Sequence, residues 1–142
     1  GVLGGANEAQ LHGMATYFRT LGIAFQIMDD VLNLKGFDGD LKSRGEDIAE
    51  GKVTFPVAVA FGLLPYEARK ELWKAVAARP QDPAEVRRII DVVAGCGALD
   101  RCEAVATEMV ERGWDILDPL LADSYYKLNM RAFGWYVLER HY

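Results

Sequence analysis

The chain has 142 residues, 51% hydrophobic and 26% charged, with a net charge of −5 at pH 7. That size and apolar content suit one globular unit with its own core, and the acidic balance argues against nucleic acid as a partner. No apolar run approaches the roughly 20 residues that a membrane span requires. Cys96 and Cys102 lack metal-ligand spacing and read as reduced thiols, so the expected location is the cytoplasm.

Gly1 to Gly5 reads as the end of an apolar helix or a linker. From Ala6 to Leu34, apolar residues at three- and four-residue steps (Leu11, Met14, Ala15, Phe18, Leu21, Phe25) predict one long helix. Gly13 and Gly22 lie inside it, each costing up to about 1 kcal/mol against Ala. Gly22 fits either tight helix packing or close approach of a ligand. His12 has no second histidine near enough to make a metal pair.

The last part of this helix is apolar nearly all round, which predicts burial. Yet it carries Gln26, Asp29, Asp30 and Asn33. Phe25, Asp29 and Asn33 share one helical stripe, with Gln26 and Asp30 on the next. Two adjacent carboxylates in an apolar setting repel each other and resist desolvation. A magnesium ion removes that conflict, because it accepts one or two carboxylates and completes its shell with water and phosphate. Asn33 can add a neutral carbonyl oxygen. The alternative is an exposed polar tip with both aspartates solvated.

A long loop is expected from Lys35 to Lys52, rich in glycine and in charges of both signs. Its lysines, Lys42 and Lys52, lie downstream of the acidic pair, and Gly36, Gly39, Gly45 and Gly51 let the backbone turn back toward a ligand. Carboxylates for a metal and lysines for phosphate are together what a diphosphate requires. Thr54 then fits a cap with Pro56 in the first helical turn, opening a helix that Pro65 ends.

Pro65 to Arg79 predicts an amphipathic helix with Leu72, Trp73 and Val76 inward. Asp82 fits an N-cap and Pro83 the first position of the next helix, whose buried face is Val86, Ile89, Ile90 and Val93. Gly95-Cys96-Gly97 ends it. Leu99 to Leu117 is helical, with Gly113 a candidate bend and Asp118-Pro119 a kink or a new turn. A last helix runs from Ser124 to Glu139, within an aromatic-rich third (Trp114, Tyr125, Tyr126, Phe133, Trp135, Tyr136) that reads as packing. No strand-like alternation appears, so the fold class is all-α, a bundle of about six helices.

The segments FQIMDD and KSRGEDIAEGKVTFP are similar to the second aspartate-rich region of the trans-isoprenyl diphosphate synthases, the polyprenyl synthetases. There the pattern is roughly FQxxDDxxD, then K-x-x-G-x-D and E-G-K-x-T-x-P. Asn33 departs from it at the last acidic position, and DDxxN followed by Leu resembles the geranylgeranyl diphosphate synthase branch. The resemblance implies the helical bundle of the isoprenoid synthase fold. Residues 1–142 would form the C-terminal part of a single polyprenyl synthetase domain, without its N-terminal half. It implies condensation of isopentenyl diphosphate with an allylic diphosphate, with magnesium-dependent ionisation of the allylic partner and products such as geranylgeranyl diphosphate.

The roles follow from the same resemblance. Asp29 and Asp30 would hold Mg2+, with Asn33 as a further ligand and Gln26 in support. Lys42 and Lys52 would grip the allylic diphosphate and complete the catalytic set. Phe25 would face the isoprenoid chain, and Asp47 would orient Lys42 or the loop. A basic C-terminus can fold over such a site, which makes Arg140 a candidate. The first aspartate-rich motif, its neighbouring arginine and a lysine-threonine pair belong to the other half. The chain alone is therefore expected to be inactive, as a fragment, one chain of a split enzyme or a truncated relative, and homodimers are common in the family. Two other readings stay open. One is a non-catalytic helical partner subunit of a synthase. The other is a class I terpene cyclase, although the N-S-E type motif it needs is missing.

Overall fold

The structure, a computed structural model, describes residues 1–36 and 44–139. Among these, a short 3-10 turn at Val2–Gly4 precedes α1 (Glu8–Lys35), α2 (Glu46–Ala49), α3 (Phe55–Leu63), α4 (Tyr66–Ala77), α5 (Pro83–Gly95), α6 (Ala98–Leu117), a second 3-10 turn at Asp118–Leu120, and α7 (Tyr125–Leu138). No described residue lies in a strand, and the class is all-α as expected. The helix beyond the expected six is α2, inside what reads as loop. No described helix is long and apolar enough to cross a membrane.

The described residues form two compact units, one of residues 1–28 and 104–139, the other of 29–36 and 44–103. In the first, α1 begins with a reciprocal cap. Asn7 N–H donates to Gln10 Oε1 at 3.1 Å and Gln10 N–H to Asn7 Oδ1 at 2.9 Å, satisfying donors that a helix start leaves open. The core centres on Tyr17, fully buried, with Leu21, Ala106, Val110 and Trp114. The Tyr17 hydroxyl donates to Met130 O at 3.0 Å, so its one polar atom is paired. Gly113 of α6 faces Tyr17 and Thr20, and Gly134 of α7 faces Tyr17 and Val110. The helices approach closely where a side chain is missing. The helix α6 continues unbroken through Gly113, and Asp118-Pro119 opens the new turn.

The second unit packs Leu34, Ile48, Val57, Ala60, Leu72, Val76, Val86, Ile89, Ile90 and Val93 into one cluster. Burying each large aliphatic chain is worth roughly 1.5–3 kcal/mol. The Asp82 side chain accepts from Ala84 N–H at 3.0 Å, and Pro83 occupies the first turn of α5. Lys35 at the end of α1 pairs with Glu103 of α6.

Two expectations are corrected here. Trp73 does not point inward. It is 54% exposed and lies tilted against Phe61, with ring centres 6.1 Å apart. Nor is the second half of α1 buried all round. Ala24, Ile27, Met28 and Val31 are buried, but Ile23 and Phe25 are exposed. The helix leaves apolar side chains open to solvent, which a strict count of apolar residues cannot show.

Candidate functional site

The end of α1 carries the acidic pair. Asp29 is exposed and Asp30 half-buried, so the pair straddles the boundary between solvent and core. The Asp30 Oδ2 accepts a hydrogen bond from Phe55 N–H at 2.8 Å. Thr54 adopts the extended N-cap backbone of α3, but its hydroxyl makes no capping bond. Asp30, from another helix, does that work, with its negative charge at the positive end of α3.

Burial raises the Asp30 carboxyl above the ordinary range. The Phe55 N–H works against that rise, Asp47 and Asp29 add to it, and Lys52 opposes it. Asp30, Asp47 and Lys52 thus lie within each other's field. The Lys52 ammonium donates to Asp47 Oδ1 at 2.9 Å and pairs with Glu50 Oε2 at 2.6 Å. These bonds hold its pKa well above the usual lysine value, Asp47 contributing most. Two carboxylates thus hold the Lys52 ammonium on the α2–α3 connection.

The chain returns to α1 after residues 37–43 through two bonds. Gly45 N–H donates to Asn33 O at 2.9 Å, and Arg44 Nε–H to Leu34 O at 2.7 Å. Gly45 has φ of 80°, a left-handed conformation that glycine adopts freely. Asn33 is half-buried, and its Oδ1 is sealed from solvent with no hydrogen-bond partner among the described residues. The Thr54 Oγ1 is in the same condition. Orphaned buried acceptors cost about 1–3 kcal/mol each unless something binds them.

The structure pairs Lys52 with Asp47 and bonds Asp30 to Phe55, three residues beyond Lys52, with Asp29 and Asn33 one residue and one turn away from Asp30 on α1. Gln26 and Phe25 are exposed, one turn earlier on the same helix. Lys42 and Arg140 lie outside the described residues. Asp47, expected to orient Lys42 or the loop, binds Lys52. Sequence reasoning missed Glu50 as the second partner of Lys52 and the Thr54 hydroxyl as an unsatisfied polar atom. For Thr54 the signal was its place between Lys52 and the helix start.

These donors are all oxygens: the Asp29 carboxylate, the remaining oxygen of Asp30 and Asn33 Oδ1. Among the described residues no three His, Cys, Asp or Glu side chains are grouped to enclose a metal ion. The set therefore fits a hard divalent cation that keeps waters and shares an anionic ligand, and not a closed protein cage.

The chain's helices superpose on the crystal structure of a polyprenyl synthase from Caulobacter crescentus complexed with calcium and isoprenyl diphosphate, with a TM-score of 0.84 and 27% identity over 97% of this chain and 42% of that one. The fold is accordingly the all-helical isoprenoid synthase fold. The polyprenyl synthetase family model matches residues 1–93, and the chain belongs to that family. A geranylgeranyl diphosphate synthase from Methanosarcina mazei is 32% identical over 99% of this chain and 42% of its own length. Heptaprenyl diphosphate synthase component 2 from Geobacillus stearothermophilus is 27% identical over 97% of this chain and again 42% of its own. The chain thus spans about two-fifths of the length of the relatives it matches.

Proposed function

We propose that the chain is the C-terminal part of a trans-polyprenyl diphosphate synthase that condenses isopentenyl diphosphate with an allylic diphosphate. The observation that carries this reading is the Asp47–Lys52 ion pair three residues before Phe55, whose N–H is held by Asp30, with the Asn33 Oδ1 unpartnered among the described residues. Oxygen ligands for a metal beside an ammonium group are what a departing diphosphate requires, and this combination supports the reading. Asp29 and Asp30 hold Mg2+ with Asn33. The ion, when bound, neutralises charge that accumulates on the leaving diphosphate. Lys52 grips the same diphosphate, with Lys42 as the second ammonium. Asp47 and Glu50 hold the Lys52 side chain extended. Gln26 supports the metal shell, and Phe25 lies against the isoprenoid chain.

The remaining site residues come from an N-terminal half of the same fold, in the same polypeptide or a second one. Phe18 and Phe25, seven residues apart and so on one face of α1, are exposed and support such a covering segment. The enzyme works in the cytoplasm, as a homodimer. The test is magnesium-dependent incorporation of labelled isopentenyl diphosphate, supplied with allylic primers of increasing length to the full gene product. Absence of any longer diphosphate would overturn the reading.

The likeness to a heptaprenyl synthase component favours a second reading, a helical subunit that acts only with a partner chain. Intact mass and N-terminal sequencing of the purified protein separate the two. A co-purifying chain with its own DDxxD motif supports a split synthase, whereas an initiator methionine directly before Gly1 supports the non-catalytic subunit.

A further inference from the structure

The α2–α5 side of the second unit holds a cavity of about 370 Å³ that the synthase reading does not use. One wall is Gly45, Glu46 and Ala49; the other is Pro83, Val86 and Ile90 of α5, with Arg44 and Arg87 also in the lining. Gln81 closes an end, donating to Ala49 O and Arg79 O at 3.1 Å each. We propose that this cavity binds an amphipathic anion, a single carboxylate or phosphate on a short apolar chain.

Three observations support it. The floor is apolar, with Val86 and Ile90 buried, and the volume falls in the range of about 300–1,000 Å³ typical of small-molecule sites. Two guanidinium groups line the cavity against one carboxylate, Glu46, and neither Arg44 nor Arg87 forms an ion pair among the described residues. A guanidinium fork is matched to carboxylate and phosphate oxygens. Arg44 is also pre-positioned, because its Nε–H is fixed on Leu34 O at 2.7 Å.

The cavity is mechanically joined to the end of α1. Gly45 forms part of its wall and also donates to Asn33 O at 2.9 Å. A Cβ at Gly45 would stand 2.5 Å from Val86 Cγ1 and 2.9 Å from Ile90 Cδ1, so α2 and α5 leave no slack there. An occupant that moves Gly45 moves the peptide of Asn33. The occupant therefore alters turnover from outside the diphosphate site. That second consequence rests on the proposed synthase reading, whereas binding itself does not.

The test is calorimetric titration of the full-length protein with octyl phosphate and with octanoate, and with octanol and inorganic phosphate as controls. Saturable binding of either amphiphile, at least tenfold tighter than both controls, is expected. Arg87→Glu should weaken it at least tenfold with unchanged melting temperature and unchanged turnover in the absence of amphiphile. Ala49→Leu, which fills the cavity from α2, should also abolish it. Asp29→Ala should leave it intact, which separates this site from the diphosphate site. Binding lost in Asp29→Ala but kept in Arg87→Glu overturns the proposal, as does octanol binding equally well or no saturable binding at all. Binding without any effect on turnover leaves the site standing and removes only its link to Asn33.

Discussion

The carboxylate of Asp30 and the backbone N–H of Phe55, 25 positions apart in the chain, are joined at 2.8 Å. One member of the acidic pair is thereby a helix cap, and its neighbour Asp29 is exposed with no such duty. The two aspartates should separate experimentally. In the intact enzyme, Asp29→Ala lowers kcat by about 10²- to 10³-fold, the typical loss of one preorganised electrostatic partner, and leaves the melting temperature unchanged. Asp30→Ala loses activity and also about 1 kcal/mol of stability through the lost cap. Asp30→Asn keeps an acceptor for Phe55 and so keeps most of that stability. Thermal melts beside steady-state kinetics make the comparison, and full activity in Asp29→Ala ends its assignment as a metal ligand.

Lys52 is exposed, and its bonds to Asp47 and Glu50 position it without supporting the fold. Lys52→Ala should cost about 10²- to 10³-fold in kcat/KM for the allylic diphosphate, with no change in melting temperature. Asp47→Asn should give a smaller loss of the same kind, because Glu50 still holds the ammonium. Equal losses from the two substitutions would mean that Asp47 acts on the substrate directly.

Close packing in the first unit makes a separate prediction. A Cβ at Gly134 would collide with the Tyr17 hydroxyl and stand 3.3 Å from Val110 Cγ1. Gly134→Ala should destabilise by about 1–3 kcal/mol, the range for overpacked cores. Tyr17→Phe alone should cost about 1 kcal/mol through the lost bond to Met130 O. Combined, the two should cost less than their sum, because the phenylalanine removes the atom that the new methyl meets. Denaturant melts of the four proteins complete the cycle.

The Cys102 thiol supplies a pH dependence. Burial pushes it up to about 11 from the usual 9.0, and the Asp30 and Glu103 carboxylates add to the rise. Below pH 9 the thiol is neutral in folded and unfolded chains alike. Above it the unfolded chain ionises first, so stability falls from pH 9 and levels near pH 11. The loss is at most about 2–3 kcal/mol at roughly 1.4 kcal/mol per unit. Cys102→Ala should show a shallower decline than the parent over that window, and parallel curves would contradict the cause given.

Much of this was legible in the sequence for a physical reason. Asp82-Pro83 and the Val86, Ile89, Ile90, Val93 face are local patterns, and local patterns survive without knowledge of the fold. The same holds for the placement of Asp29, Asp30 and Asn33 on one helix end and Lys52 before the next helix. What escaped is long-range or too short to have a period. The bond from Phe55 to Asp30 requires that α3 start against α1. The helix α2, with four residues, shows no repeat to detect inside a charged stretch. Trp73 sits at an apolar helical position, yet the neighbouring elements leave it uncovered. The Asn7–Gln10 cap had its signature in plain sight, at the spacing of a capping box, but an Ala6 start obscured it.

The Arg131 guanidinium lies 5.4 Å from the Trp114 ring centre and 4.7 Å from that of Trp135; Trp114 is buried, whereas Trp135 and, in the other unit, Trp73 are exposed. The chain therefore carries its own optical reporters. Shielded and water-facing indoles emit at different wavelengths, and these three tryptophans are divided between the two units. Single-tryptophan versions, followed by fluorescence through a denaturant ramp, would show directly whether the two units lose their structure in one event or in sequence.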